Sequence, residues 1–236
     1  IGTTATFEDG EKEIIANEEI TIIDSVAYSD LKPGKEYTVS GVLMDKETGK
    51  AFLDINGEEV RASTTFVPEE PTGTVDVLFK FNAVFVQDKT DIVVFEDLYH
   101  KGIQLATHAE INDEGQTVTV NPLHGSIMTT KVNADDPTDK ISGATFGVYS
   151  DADGDGIFNA KTDKLVGTLQ EGDTGVYTLD SLPYGKFFLH EDKAPEGFVQ
   201  DNIYYPFEIK EDGQIVNFET VPGKDFPNKS IKGTVT

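Results

Sequence analysis

Four polar side chains in the first half of this sequence fall where a β-strand would turn them into a core. In "EGQTVTV", alternation sets Gln116 in line with Val118 and Val120, while Thr117 and Thr119 face the other way. In "TIIDSVAY", Asp24 shares a face with Ile22, Val26 and Tyr28; in "DIVVFEDL", Glu96 shares one with Ile92, Val94 and Leu98. At the start, Thr3 lines up with Ile1, Ala5 and Phe7. An amide buried without partners costs about 1–3 kcal/mol, so one such residue would ordinarily be a satisfied polar group. Two carboxyls, an amide and a hydroxyl from four strands ask for a chemical reason. Two close carboxyls do not both ionise cheaply, so one should hold a proton. A neutral acid polarises an amide carbonyl, and His108 supplies a base for a threonine hydroxyl. The set supports nucleophilic attack on the Gln116 side chain.

The second half repeats the pattern with different groups. In "SIMTTKV", Ile127, Thr129 and Lys131 share a face, and in "KFFLHED", Phe187, Leu189 and Glu191 share one. A lysine and a glutamate in a core are rare unless paired. A buried salt bridge is the plain reading. Burial also lowers a lysine pKa and raises a glutamate pKa, so a neutral amine and a neutral acid could coexist there. Between these segments, "SDADGDGIFNAKTD" places Asp151, Asp153 and Asp155 at alternate positions before Gly156. That is the oxygen-ligand spacing of a calcium loop, with the Ile157 carbonyl, Asn159 and Asp163 available to complete the shell. Position twelve is Thr162 rather than a bidentate glutamate, and no helices flank the loop, so a structural Ca2+ is expected rather than a sensing site. An ion-free acidic turn is the alternative.

The elements that must position these groups read as strands throughout. "EITIIDSVAY", "EYTVSGVLM", "TVDVLFKFNAVFV", "DIVVFEDLY" and "QTVTV" are followed by "ATFGVYS", "GVYTLDSL", "KFFLHED" and "YYPFEI". Turn signals such as "KPGK", "ETGK", "EEPTG" and "LPYG" punctuate them, and no segment sustains helical periodicity. The expected fold class is all-β, two tandem β-sandwich domains of immunoglobulin-like or prealbumin-like type. The boundary falls in "NPLHGS", giving domains at 1–121 and 125–230, with 231–236 beginning a linker or a further module.

The formal charge of −24 over 236 residues opposes nucleic acid and anionic membrane as partners. With no cysteine, thiol chemistry and disulfides are absent, and no apolar run suits a membrane helix. Nothing suggests an organic cofactor. The ends at "IGTTAT" and "SIKGTVT" read as those of a piece cut from a longer protein.

The first module resembles the surface-protein repeats of Gram-positive bacteria that form intramolecular Thr–Gln ester bonds. The likeness rests on "TTAT", "DSVAYSDLKPGKEYTVSGVLMDKETG", "VVFEDLY" and "HAEINDEGQTV". It implies an ester between Thr3 and Gln116 with loss of ammonia, Asp24 and Glu96 as paired acids, His108 as base and Asp113 as its orienting partner. Thr3 fits a "T-x-A-S/T" pattern, with Thr4 and Thr6 as neighbouring candidates. The second module resembles collagen-adhesin B-type domains through "GSIMTTKV", "ISGATFGVYSD", "GVYTLDSLPYGKFFLHEDKAPEGF" and "FPNKS". That resemblance implies a Lys131–Asn228 isopeptide bond promoted by Glu191. It also implies an extracellular stalk segment, wall-anchored through its parent and monomeric. Its partners would be neighbouring modules, with any host ligand bound elsewhere on the parent. Two other functions are weighed. A module gripping a host glycan or protein would be expected to show an exposed aromatic cluster, and none is conspicuous. A hydrolase built on Thr3, His108 and an acid would need a cleft and a Gly-rich oxyanion loop.

Overall fold

A computed structural model describes residues 1–220, 223 and 225–232. The chain divides into two compact units, Ile1–Leu123 and His124–Thr236. Each is a β-sandwich.

The first unit contains β1 (Gly2–Phe7), β2 (Glu13–Ile15), β3 (Ile20–Tyr28), β4 (Tyr37–Asp45), β5 (Arg61–Phe66), β6 (Gly73–Phe81), β7 (Thr90–His100), β8 (Ile103–His108) and β9 (Thr117–Asn121). One sheet has the order β1-β3-β6, and the other runs β2-β9-β7-β4-β5 with β8 added against β7. Alternation sets the inner faces: Ile22, Asp24 and Val26 from β3, and Ile92, Val94, Glu96 and Leu98 from β7, are all buried. The β7–β8 hairpin turns at Lys101 and Gly102, both with positive φ, the backbone that a tight two-residue turn requires. That hairpin places His108 directly across from Glu96. Parallel pairing of β2 with β9 ties the start of the unit to its end.

Three expectations are modified in this unit. The run "TVDVLFKFNAVFV" is a strand only to Phe81; Ala83, Val84 and Val86 are buried in a turn that Asn82 Oδ1 caps by accepting from Val84 N–H. Tyr28 is half-buried, and Thr119, expected outside, is covered, its hydroxyl donating to Asp91 Oδ1 at 2.7 Å.

The second unit contains β10 (His124–Asn133), β11 (Asp136–Lys140), β12 (Thr145–Ser150), β13 (Leu165–Thr168), β14 (Gln170–Glu171), β15 (Val176–Pro183), β16 (Gly185–Lys193), β17 (Tyr204–Ile209), β18 (Ile215–Phe218) and β19 (Phe226–Asn228). One sheet runs β11-β10-β15-β14, with β18 and β19 both parallel to β10; the other runs β13-β12-β16-β17. Ile127, Phe146, Val148, Leu189 and Phe226 fill the space between them. β10 therefore carries its unit's last described strand alongside it. Of the closing segment 231–236, Ile231 donates to Gly197 O at 2.7 Å, and residues 233–236 lie outside the described residues.

Candidate functional site

In the first unit, strand pairing brings the predicted polar residues into one buried cluster. β1 lies against β3 with Ala5 opposite Asp24 and Thr3 opposite Val26. On its other side, Ala5 N–H donates to Gly115 O at 3.0 Å, which sets the first strand beside the residue preceding Gln116. Thr4 is exposed, whereas Thr3 Oγ1 is buried and has no partner. Gln116 is fully buried and donates through Nε2 to Asp24 Oδ1 at 3.2 Å, leaving its Oε1 unpartnered. Asp24 Oδ2 and both Glu96 oxygens also lack a donor. Burial pushes the Glu96 carboxyl far above the usual carboxylate range, and proximity to Asp24 adds to the rise. Burial raises Asp24 as well, against hydrogen bonding from Glu96 and Gln116 that lowers it. With both ionised, neither could donate to the other; a proton held between them, mostly on Glu96, resolves the conflict.

His108 stands at the edge of this cluster, its side chain 24% exposed, with Nε2 2.7 Å from Asp113 Oδ2. The bond to His108, with help from the Gly115 N–H, holds Asp113 below the ordinary carboxylate range. An ionised Asp113 only accepts, so Nε2 is the donor in this bond. Lys12 was not picked out by strand alternation. Its ammonium donates to Gly115 O at 2.6 Å, fixing the turn that delivers Gln116.

The second unit assembles Lys131 from β10, Glu191 from β16 and Asn228 from β19, none more than 2% exposed. Lys131 Nζ lies 2.9 Å from Glu191 Oε1, at ion-pair distance but without the alignment of a hydrogen bond. It also sits 4.3 Å from the Phe226 ring centre and 5.7 Å from that of Phe146. Desolvation brings the lysine down to about 8, against the pull of Glu191. Asn228 Nδ2 donates to Glu191 Oε2 at 2.8 Å and to the Val199 carbonyl, so its Oδ1 is left bare. The same Glu191 oxygen accepts from Asp201 N–H at 2.8 Å. Val199 and Asp201 come from the loop before β17 and had no signal in strand periodicity.

The acidic loop after β12 gathers one carboxylate oxygen from each of Asp151, Asp153 and Asp155 within 4.8 Å of one another. Asp163 and Asn159, expected to join them, are engaged elsewhere. Asp163 Oδ1 accepts from Ala152 N–H and Thr162 Oγ1, and its Oδ2 from Asn159 N–H. Asn159 Oδ1 accepts from Lys161 N–H. The Ile157 side chain points to solvent.

Nine buried side-chain polar atoms lack a hydrogen-bond partner among the described residues, and eight belong to Thr3, Asp24, Glu96, Gln116, Lys131, Glu191 and Asn228. Two sandwiches, each burying a carboxamide hydrogen-bonded to a carboxylate, with a hydroxyl or an amine carried on an adjoining strand, define the class of domain. The family model described as "T-Q ester bond containing domain" matches residues 1–120, and this chain belongs to that family. The model of a prealbumin-like fold domain matches residues 125–223. Among solved structures, a bacterial adhesin from Mobiluncus mulieris, described as containing intramolecular disulfide, isopeptide and ester bond cross-links, is similar in two crystal forms. The first covers 98% of this chain and 98% of that one with a TM-score of 0.57 at 17% identity. The second covers 97% of each with a TM-score of 0.50, also at 17% identity. At that identity the likeness establishes the fold. No curated protein matches the chain.

Proposed function

We propose that this chain is a structural stalk segment of a bacterial cell-surface adhesin, each unit closing a covalent crosslink on itself. The observation that carries this reading is the concentration, at the reacting groups, of buried polar atoms without a hydrogen bond. A fold maintained for stability alone would satisfy them or replace them with apolar residues.

In the first unit, the Thr3 hydroxyl attacks the Gln116 carboxamide carbon while its proton passes to His108 Nδ1. The proton held by Glu96 and Asp24 stabilises the developing oxyanion. Asp24, already bonded to Gln116 Nε2, passes the shared proton to the leaving nitrogen, and the threonine proton on His108 replaces it on the acid pair. The C–N bond breaks, ammonia departs, and an ester remains. In the second unit, Lys131 passes a proton to Glu191, and the neutral amine attacks the Asn228 carboxamide carbon. Glu191, bonded to Asn228 Nδ2, returns the proton to departing ammonia, leaving a secondary amide. Each set turns over once, on its own chain.

Such a segment would act outside the cell, attached at the wall through its parent, in series with neighbouring modules and with host contacts made elsewhere. Intact-mass spectrometry tests the chemistry. The expected mass is the sequence mass less two ammonia molecules, with Thr3→Ala and Lys131→Ala each restoring one. An unshifted mass for the unsubstituted chain overturns the proposal.

A further inference from the structure

The ninth unpartnered atom is Asp151 Oδ1. It belongs to neither crosslink, and its residue is only 9% exposed. Asp153 and Asp155 are open to solvent beside it. Each of the three carboxylates uses one oxygen to hold the loop's own backbone. Asp151 Oδ2 accepts from Gly156 N–H at 3.1 Å, Asp153 Oδ1 from Asp155 N–H at 3.4 Å, and Asp155 Oδ1 from Ile157 N–H at 2.7 Å. Gly154 and Gly156, with φ of +71° and +74°, allow the chain to wrap this tightly. One oxygen of each carboxylate is left over. Three anions held together on a protein already at −24 repel one another unless a cation lies between them. The nearby Lys186 ammonium donates instead to the Gly154 carbonyl, at 3.2 Å.

We propose that Asp151, Asp153 and Asp155 form a binding site for one calcium-sized divalent cation, with Asp151 Oδ1 as its buried inner ligand. Two oxygens on opposite sides of such an ion, each about 2.4 Å from it, would lie about 4.8 Å apart. One oxygen from each of the three carboxylates lies within 4.8 Å of the others, close enough for all three to reach one such ion. Magnesium would require a contraction to about 2.1 Å and a near-ideal octahedron. Asp163 is a brace rather than a ligand, since its bonds to Ala152, Asn159 and Thr162 clip the two ends of the loop together.

The ion would do more than neutralise charge. Phe158, within the same loop, stacks on Tyr204 at 3.6 Å with rings 4° from parallel, and Tyr204 stacks on His190 at 4.0 Å. His190 immediately precedes Glu191 on β16. A cation that fixes the loop therefore fixes the aromatic stack over the strand carrying the second unit's acid.

The experiment is calorimetric titration of the chelator-treated full chain with CaCl2 and, separately, MgCl2, followed in parallel by tyrosine emission, which no tryptophan obscures. One calcium per chain is expected, with binding at least tenfold weaker for magnesium. The doubly substituted Asp153→Asn/Asp155→Asn chain should bind calcium at least tenfold more weakly while losing as many ammonia molecules, relative to its own sequence mass, as the unsubstituted chain. Absence of saturable calcium binding at millimolar concentration overturns the proposal. So does a substituted chain that binds as tightly as the original, or equal affinity for magnesium.

Discussion

At the scale of single residues, burial shifts the protonation of ordinary side chains. Glu96 illustrates the sign of the effect. Its carboxyl is raised by burial and by Asp24, so the folded state retains a proton that the unfolded chain has lost at neutral pH. The stability this group contributes is complete below the usual carboxylate range and declines as pH rises toward the folded value. In a Thr3→Ala chain, where no ester masks the effect, the first unit should melt at a lower temperature at pH 8 than at pH 5. Adding Glu96→Gln should flatten that dependence; differential scanning calorimetry at the two pH values decides the matter. Lys131 runs the other way. Its amine is brought down to about 8, so the fraction able to attack Asn228 grows as pH rises from 6 toward that value. Mass spectra taken at intervals after refolding should show faster loss of the second ammonia at pH 8 than at pH 6.

At the scale of elements, the reacting atoms are only as well placed as the strands that carry them. β10 is fixed on one side by β15 and on the other by β18 and β19, so Lys131 and Asn228 approach along parallel neighbours. Gly175 is the close point in this arrangement. Its carbonyl accepts from Lys131 N–H at 2.7 Å. A Cβ there would stand 2.9 Å from Lys131 O and 3.0 Å from Ile141 N, at a φ of +71°. Gly175→Ala should therefore destabilise the second unit by about 1–3 kcal/mol and slow its crosslink, read from its melting transition and from the mass time course. The first unit has the corresponding device in Lys12, whose ammonium holds the Gly115 carbonyl. Lys12→Met should reduce the ester fraction while leaving the isopeptide fraction unchanged.

For the whole molecule, the proposed joining of first to last strands would have a mechanical as well as a thermodynamic consequence. Closing a loop of about 100 residues removes roughly 4–5 kcal/mol of unfolded-state entropy in the chain-entropy model. Under tension applied at the ends, each proposed bond would carry load before the sheet inside its loop could separate. Single-molecule stretching of the unsubstituted chain should release almost none of the length enclosed by either crosslink. The Thr3→Ala chain should release the first loop and the Lys131→Ala chain the second.

The sequence alone determined the inward direction of Thr3, Asp24, Glu96, Gln116, Lys131 and Glu191. A strand's period of two and the apolar neighbours on the same face leave little freedom. It also determined the all-β class, because turn residues recur between short alternating runs. It did not reveal β2, β5, β8, β11, β13, β14, β18 and β19, which are held by pairing with their neighbours rather than by their own composition. Only the tertiary structure decided which inward groups meet. Ala5 bonding to Gly115, and β19 lying along β10, are long-range pairings that no local pattern encodes. It likewise separated Asp163 from the three clustered aspartates. Spacing counts residues, whereas coordination depends on which oxygens the backbone has already taken.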